Sequence, residues 1–477
     1  MSEFPRVAAF KTPAAFRRHL DSAGIDLRFD DELAPPGSSP LGAPLTVDGI
    51  RVGNRFCILP MEGWDGTADG APGELTVRRW KNFGRSGAKL IWGGEAVAVC
   101  FEGRANPNQL VLVDATKKAL AALRATLVGE HVSRFGDAGD LYVGLQLTHS
   151  GRFSRPAAKD RPEPLTAYAH PLLDARFPRG VRILSDDEME RLAGEFVRAA
   201  RMAADIGFDF VDVKHCHGYL LHELLSANAR AGRYGGSLTN RTRFLRDVID
   251  GIRSEAPGLG VAVRLSVFDT VPFRKGCLGL GEPEAEASGY EHAFGLLRDE
   301  AMDAALVEAR CVLGMLQARG VRWICTTAGS PYYSPHIQRP AAFPPIDGYE
   351  PPEDPLRGVA RQIDATARLK AAFPDLVFVG SAYSYLQEWL PHVAQFNVRQ
   401  GLTDFVGLGR MALAYPDLPA DVLSGSPLRR KAICRTFSDC TTGPRMGLVS
   451  GCYPLDPFYA AHPDGVRLRD IKAGARR

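Results

Sequence analysis

Between Val211 and Phe244 the sequence reads VDVKHCHGYLLHELLSANARAGRYGGSLTNRTRF, so Lys214, His215, His217 and Tyr219 follow directly on the short apolar run FDFVDVK. An imidazole and an ammonium can donate hydrogen bonds to a carbonyl or anionic oxygen, and a nearby phenol can deliver a proton. Such a set polarises an electron-poor substrate. The alternative is a strand-end lysine paired with a carboxylate, a structural histidine and a packed tyrosine. Three other runs end in polar groups. GLQLTHSGR places Gln146 on an inner face before the basic pair His149 and Arg152. VAVRLS buries Arg264 between apolar flanks, which is costly unless it meets an anionic or electron-rich group. FVGSAYS and FVGLGRMA put glycines ahead of helices, leaving backbone N–H groups open to a phosphate, with Arg410 to supply charge. GLGRMA also fits GxGxxA, but it lies too near the C-terminus for a following βαβ unit, so a dinucleotide fingerprint is excluded. Cys216 between two histidines has no second ligand pair, so no metal site is expected.

The elements that must position these groups are apolar β-type runs alternating with amphipathic helical patterns. Candidate strands cover 56–60, 89–97, 141–148, 208–214, 260–265, 321–326, 376–379 and 404–408. In the helical stretch SDDEMERLAGEFVRAARMAADIG, Ser185 and Glu188 make a capping box; Ser237 is the expected N-cap of the helix through Phe244, Val248 and Ile252. Eight strand and helix units predict an α/β fold, a (β/α)₈ TIM barrel with chemistry at the C-terminal strand ends, and a doubly wound sheet is the runner-up. The expected organisation is an N-terminal extension over 1–40, the barrel over 41–425 and an irregular C-terminal tail over 426–477. An excursion after the fifth strand, from Phe268 to Gly320, is read as an insertion over the mouth.

Composition excludes several classes. With 45% apolar and 24% charged residues the 477-residue chain can bury a large core. A net charge of +3, from 58 basic and 55 acidic residues, gives no one-signed field, so nucleic acid is not an expected partner. Nine cysteines, an odd number scattered through a long chain, read as reduced thiols. No apolar run approaches a membrane span and MSEFPRVAAFKTP lacks the apolar core of a leader, so a cytoplasmic enzyme with a small-molecule substrate is expected.

From Leu45 to Pro419 the motifs VGNRFCILPM, GGEAVAV, LQLTHSGR, HGYLLHELLSANARAGRYGGSLTNRTRF, VAVRLS and FVGLGRMALAYPDLP occur in an order that resembles the Old Yellow Enzyme family of FMN-dependent oxidoreductases. The resemblance is to the branch that includes 2,4-dienoyl-CoA reductase and trimethylamine dehydrogenase. It implies FMN over the barrel mouth. Pro60, Met61, Ala96 and Gln146 would meet the isoalloxazine, with Glu62 beside it; Arg264 would meet its pyrimidine edge, and Gly380, Ser381, Gly409 and Arg410 its phosphate. His217 and Tyr219 would be the substrate-oxygen and proton donors.

Four departures stand out. Lys214 replaces the histidine that commonly partners the residue three positions on; Glu62 follows LPM, where its carboxylate would disfavour an anionic reduced flavin; Gly232 replaces an acid before YGG. The branch's C-x₂-C-x₃-C-x₁₁-C cluster motif is reduced to Cys434, Cys440 and Cys452, with Phe437 at the second position, so no iron-sulfur cluster is expected. NADH or NADPH is then the expected reductant, and reduction of a C=C bond conjugated to a carbonyl or carboxyl group the expected reaction. The alternatives are oxidation of an amine or alcohol-type substrate, or a non-redox FMN scaffold.

Overall fold

The computed structural model describes residues 4–474. Eight parallel strands close into a barrel: β1 (Phe56–Ile58), β2 (Leu90–Ile91), β3 (Tyr142–Thr148), β4 (Phe210–Val213), β5 (Gly260–Ser266), β6 (Trp323–Thr327), β7 (Val377–Gly380) and β8 (Phe405–Leu408). Each strand pairs in parallel with its sequence neighbours, and β8 returns to β1 through Val406 opposite Phe56. The helices α1 (Glu74–Gly84), α2 (Asp114–Phe135), α3 (Asp186–Asp205), α4 (Arg243–Glu255), α5 (Val307–Ala318), α6 (Pro355–Ala372) and α7 (Leu390–Arg399) form the outer ring, and the short α8 (Arg410–Ala414) follows β8. This is the expected (β/α)₈ barrel, not a doubly wound sheet.

Strand alternation sorts the side chains. Val211 and Val213 face the helices within the large outer core, whereas Phe210 packs inside the barrel with Cys57, Leu90, Trp92, Tyr142 and Trp323. The same alternation turns Asp212 and Lys214 inward above Phe210, so the lower barrel is apolar and the upper barrel polar. Gly144 belongs to this packing, because a Cβ there would come within 2.3 Å of the Phe210 ring.

Two local expectations are corrected. The run 89–97 is not one strand: it breaks after Ile91 at Gly93 and Gly94, whose φ values of 134° and 51° turn the chain before a short strand Ala96–Ala98 pairs with the upper end of β3. Ser237 does cap a helix, accepting from the Asn240 amide, but that helix ends at Arg241 and α4 restarts beyond Thr242. The capping box at Ser185 and Glu188 forms as expected, the two reciprocal bonds measuring 2.8 and 3.2 Å.

The excursion after β5 carries an antiparallel hairpin, Phe273–Lys275 with Gly281–Pro283. A second long excursion, between β6 and α6, spans residues 328–354 and runs over the mouth. The C-terminal segment contains helices Asp439–Arg445, Pro457–Ala461 and Pro463–Gly474 and folds back onto that excursion. Two tail hydroxyls accept its amides, Ala342 N–H donating to Thr436 at 3.0 Å and Ile346 N–H to Thr442 at 3.3 Å. Among the described residues no helix is long and apolar enough to cross a membrane.

Candidate active site

One cavity opens at the C-terminal ends of the strands, and every residue expected at the site lines it except Gly380. At Gly380 the constraint is packing: a Cβ would sit 3.1 Å from the Tyr383 ring. The chain leaves β4 through a tight turn in which His217 (φ 68°) and Gly218 (φ 77°) both occupy the left-handed region. For histidine that conformation is uncommon and costs on the order of 1–3 kcal/mol. Ser266 Oγ accepts from the His217 amide at 3.2 Å and Ser330 Oγ donates to its carbonyl at 2.8 Å, which fixes the turn.

The catalytic candidates converge on a residue that sequence reasoning had placed beside the flavin. Glu62 Oε1 accepts from Lys214 Nζ at 2.7 Å, and Glu62 Oε2 accepts from the Tyr219 hydroxyl at 2.7 Å and from Trp64 Nε1 at 3.1 Å. The Lys214 ammonium also stands 3.9 Å from the centroid of the Tyr219 ring. Lys214 therefore does not offer a bare cation to the cavity, and the charge of Glu62 is compensated where it stands. Tyr332 adds a second phenol 3.0 Å from the Tyr219 hydroxyl. Burial, with the Glu62 charge next, pushes the Tyr219 phenol well above its usual range, so its proton is held. His217 is driven the other way: burial, then the charges of Arg264 and Lys214, keep its imidazole neutral. Its Nε2 lies 3.1 Å from the Gln338 amide nitrogen.

Below this layer Asp212 organises the barrel top. It accepts from Gln146 Nε2 at 2.6 Å, Trp92 Nε1 at 2.8 Å and the Arg264 amide at 2.6 Å, while burial lifts it to about 6. With its amide nitrogen committed to Asp212, Gln146 turns its carbonyl oxygen away from that carboxylate. The segment bearing Glu62 and Trp64 is held by a buried ionic triad. Arg79 bonds Asp65 at 2.5 Å and Glu95 at 2.5 Å, and the Gly63 amide donates to Glu95 at 2.5 Å.

The site fits FMN by its unmet donors. Arg264 Nε, Ser381 Oγ and Arg410 Nη1 are buried with no oxygen or nitrogen partner among the described residues, and all three residues line the cavity. Buried donors in that state are costly unless a ligand meets them. Gly409 leaves open space where a Cβ would stand, at the start of α8.

Several expectations for neighbouring residues resolve as structure. Arg152 is fully buried away from the cavity against Glu223 at 2.7 Å, and His149 packs behind it with its imidazole held neutral by burial. His215 and His222 are likewise buried and neutral. Cys216 is fully buried, and among the described residues no group of three or more His, Cys, Asp or Glu side chains is placed to hold a metal ion. Sequence reasoning missed Tyr332, Gln338 and Arg339, which come from the excursion after β6, and Thr441 and Arg445 from the tail. The one signal was the Pro-rich length of YYSPHIQRPAAFPPIDGYEPPEDP, which has neither strand nor helix periodicity.

The family described as NADH:flavin oxidoreductase / NADH oxidase matches residues 40–281, half of the chain. The chain belongs to this family. It is an FMN-dependent oxidoreductase by that membership. Among relatives, an NADH:flavin oxidoreductase of Gibberella zeae is 26% identical over 400 residues, covering 80% of this chain and 84% of that protein. An NADPH dehydrogenase of a Geobacillus strain is 32% identical over 243 residues, 49% of this chain and 64% of that protein. Among solved structures, a 2-naphthoyl-CoA reductase complex superposes with a TM-score of 0.64 at 20% identity, covering 90% of this chain and 58% of that one. An Old Yellow Enzyme homologue of Zymomonas mobilis superposes with a TM-score of 0.57 at 22% identity, covering 81% and 93%. At these identities the superpositions speak to the fold.

Proposed function

We propose that this protein uses NADH or NADPH to reduce a carbon–carbon double bond conjugated to a carbonyl or carboxyl group. The observation that carries the reading is the Tyr219 phenol: it faces the cavity, keeps its proton, and stands in a chain with Tyr332 on one side and Glu62 on the other. Bound FMN supplies the hydride chemistry, and the pyridine nucleotide the reducing equivalents. Pro60, Met61, Ala96, Gln146 and Arg264 would meet its ring system, and Ser381, Gly409 and Arg410 its phosphate, with Gly380 shaping the turn.

His217 and Gln338 hold the substrate oxygen as negative charge develops there; a neutral imidazole keeps one N–H to donate. Tyr219 gives its proton to the α-carbon while the β-carbon takes the hydride. Lys214 pairs with Glu62, whose charge would otherwise oppose the phenolate left behind, and the lost proton is replaced through Tyr332. Lys214 thus acts through Glu62 and Tyr219 and does not touch the substrate. A relative 46% identical over 90 residues, 18% of this chain, carries the name putative 12-oxophytodienoate reductase 2 from rice, which accords with an enone substrate. One contact favours oxidation of an amine or alcohol as a second reading: the Tyr219 hydroxyl donates to Glu62, and the same chain run backwards would carry a proton away from a substrate.

The test is anaerobic. Purified protein is yellow and releases FMN, not FAD, on heating; NADH or NADPH bleaches it and an enone restores the colour. Failure of both nucleotides to bleach, with bleaching by amines or alcohols instead, reverses the assignment.

A further inference from the structure

Three guanidinium groups, from Arg339, Arg410 and Arg445, line one end of the cavity, and they are not equivalent. Arg445 is spent on Asp347, with contacts of 2.9 and 3.1 Å. Arg339 and Arg410 have no acidic partner among the described residues. Each keeps one buried nitrogen without a hydrogen bond, Nη2 of Arg339 and Nη1 of Arg410. They are tied together by backbone, since Arg410 Nη2 donates to the carbonyl of Pro340 at 2.7 Å, the residue after Arg339. Two like charges gathered beneath a loop repel each other. Burial and then the Arg410 charge lower the Arg339 guanidinium from its usual range. An arrangement that sets two cations side by side, with open donors and no anion of its own, is complementary to a doubly charged anion.

Resting on the FMN reading above, we propose that Arg339 is a second phosphate-binding guanidinium, closing with Arg410 and Ser381 on the 5′-phosphate of FMN. Arg410 and Ser381 come from the strand ends that hold phosphate in barrels of this kind, whereas Arg339 is delivered from outside that set, by the excursion after β6. The loop is built to hold it there. Gln362 Nε2 donates to the carbonyls of Ile337 at 2.7 Å and Gln338 at 3.2 Å, immediately before Arg339. Beyond it, the tail fastens the loop through Thr436, Thr442 and Arg445. The adjoining side chain, Gln338, points to His217, so one loop would serve the cofactor's phosphate and the substrate end together.

The experiment compares FMN with riboflavin, which differs by the phosphate alone. Holoenzyme is equilibrated with a mixture of the two and the bound flavins are counted after gel filtration. Wild-type protein retains FMN in strong preference. Arg339→Met lowers the bound FMN-to-riboflavin ratio by at least about tenfold, the loss of a charge-assisted hydrogen-bonding group. Arg339→Lys, which keeps the charge and loses the fork, falls between, and it carries the test if the Met variant does not fold. An unchanged ratio in both variants overturns the proposal, even if the KM for an anionic substrate rises, because Arg339 would then serve the substrate. Equal weakening of both flavins also overturns it, marking Arg339 as a fold residue. If wild-type protein carries neither flavin, the FMN reading itself falls.

Discussion

Lys214 and Glu62, separated by 152 residues in sequence, meet as an ion pair of 2.7 Å at the barrel mouth. Their side chains are only 4% and 12% exposed, so neither is compensated by bulk water. Each is the other's ionic partner. The pair also cancels most of the field that a lone carboxylate would impose on the cavity.

Removing one partner is therefore worse than removing both. Lys214→Met leaves a carboxylate in a nearly closed site and lowers stability by about 3 kcal/mol. Adding Glu62→Gln recovers a large part of that loss. Urea midpoints of the two single variants and the double variant check this as a double-mutant cycle. Additive losses would show that the two groups do not depend on each other.

Tyr219→Phe separates the half-reactions. Oxidation of reduced enzyme by an enone slows by about 10² to 10⁴, the range of a general acid, while reduction by NADH or NADPH is nearly unchanged. Since the phenol is held well above its usual range, the wild-type oxidative half-reaction shows no loss of proton donor up to about pH 10. Stopped-flow absorbance gives both rates, and equal slowing of the two would make Tyr219 a packing residue.

How far the sequence carried these conclusions depends on the range of the interaction. Period-two alternation put Gln146 on an inner face, apolar flanks marked Arg264 as buried, and their strands lie where the apolar runs are. The motif glycines and Arg410 were readable because backbone geometry and charge are local properties. The Lys214–Glu62 bond was open only as the general alternative of a paired lysine, since nothing local says which carboxylate a lysine will meet. Asp212 sat unremarked between Val211 and Val213, though the same alternation that turned Lys214 inward turns Asp212 inward too. Arg339 and Gln338 were out of reach, because an aperiodic Pro-rich segment gives no direction for its side chains; only the tail and α6 decide where it lies.

Buried imidazoles make the fold acid-sensitive. His149, His170, His222 and His336 are lowered to about 3 and His215 to about 4, all chiefly by burial. The unfolded chain takes up protons on these groups below about pH 6.5, the folded protein does not, and stability falls as pH drops below that value. Asp212, raised to about 6, and Glu95 and Asp269, raised to about 7, act in the opposite sense between about pH 7 and 4. The imidazoles outnumber them, so the net slope remains a loss. Urea midpoints between pH 7.5 and 4.5 measure it, and a midpoint that holds or rises on acidification would contradict the balance.

The tail cysteines give the last prediction. Cys434, Cys440 and Cys452 border one small cavity beside Arg410. Burial pushes the Cys434 and Cys452 thiols up, so they stay protonated and poor ligands. Phe437, where the fourth sulfur would be, stacks instead on Phe343 at 5.4 Å, joining the tail to the loop that carries Arg339. Iron and acid-labile sulfide analysis of anaerobically purified protein is accordingly expected to return neither, with the yellow flavin spectrum alone in the visible. Phe437→Ala is expected to loosen the loop and raise the rate of FMN loss without changing metal content. Stoichiometric iron and sulfide in the wild-type protein would instead mean that a non-cysteine donor completes the site.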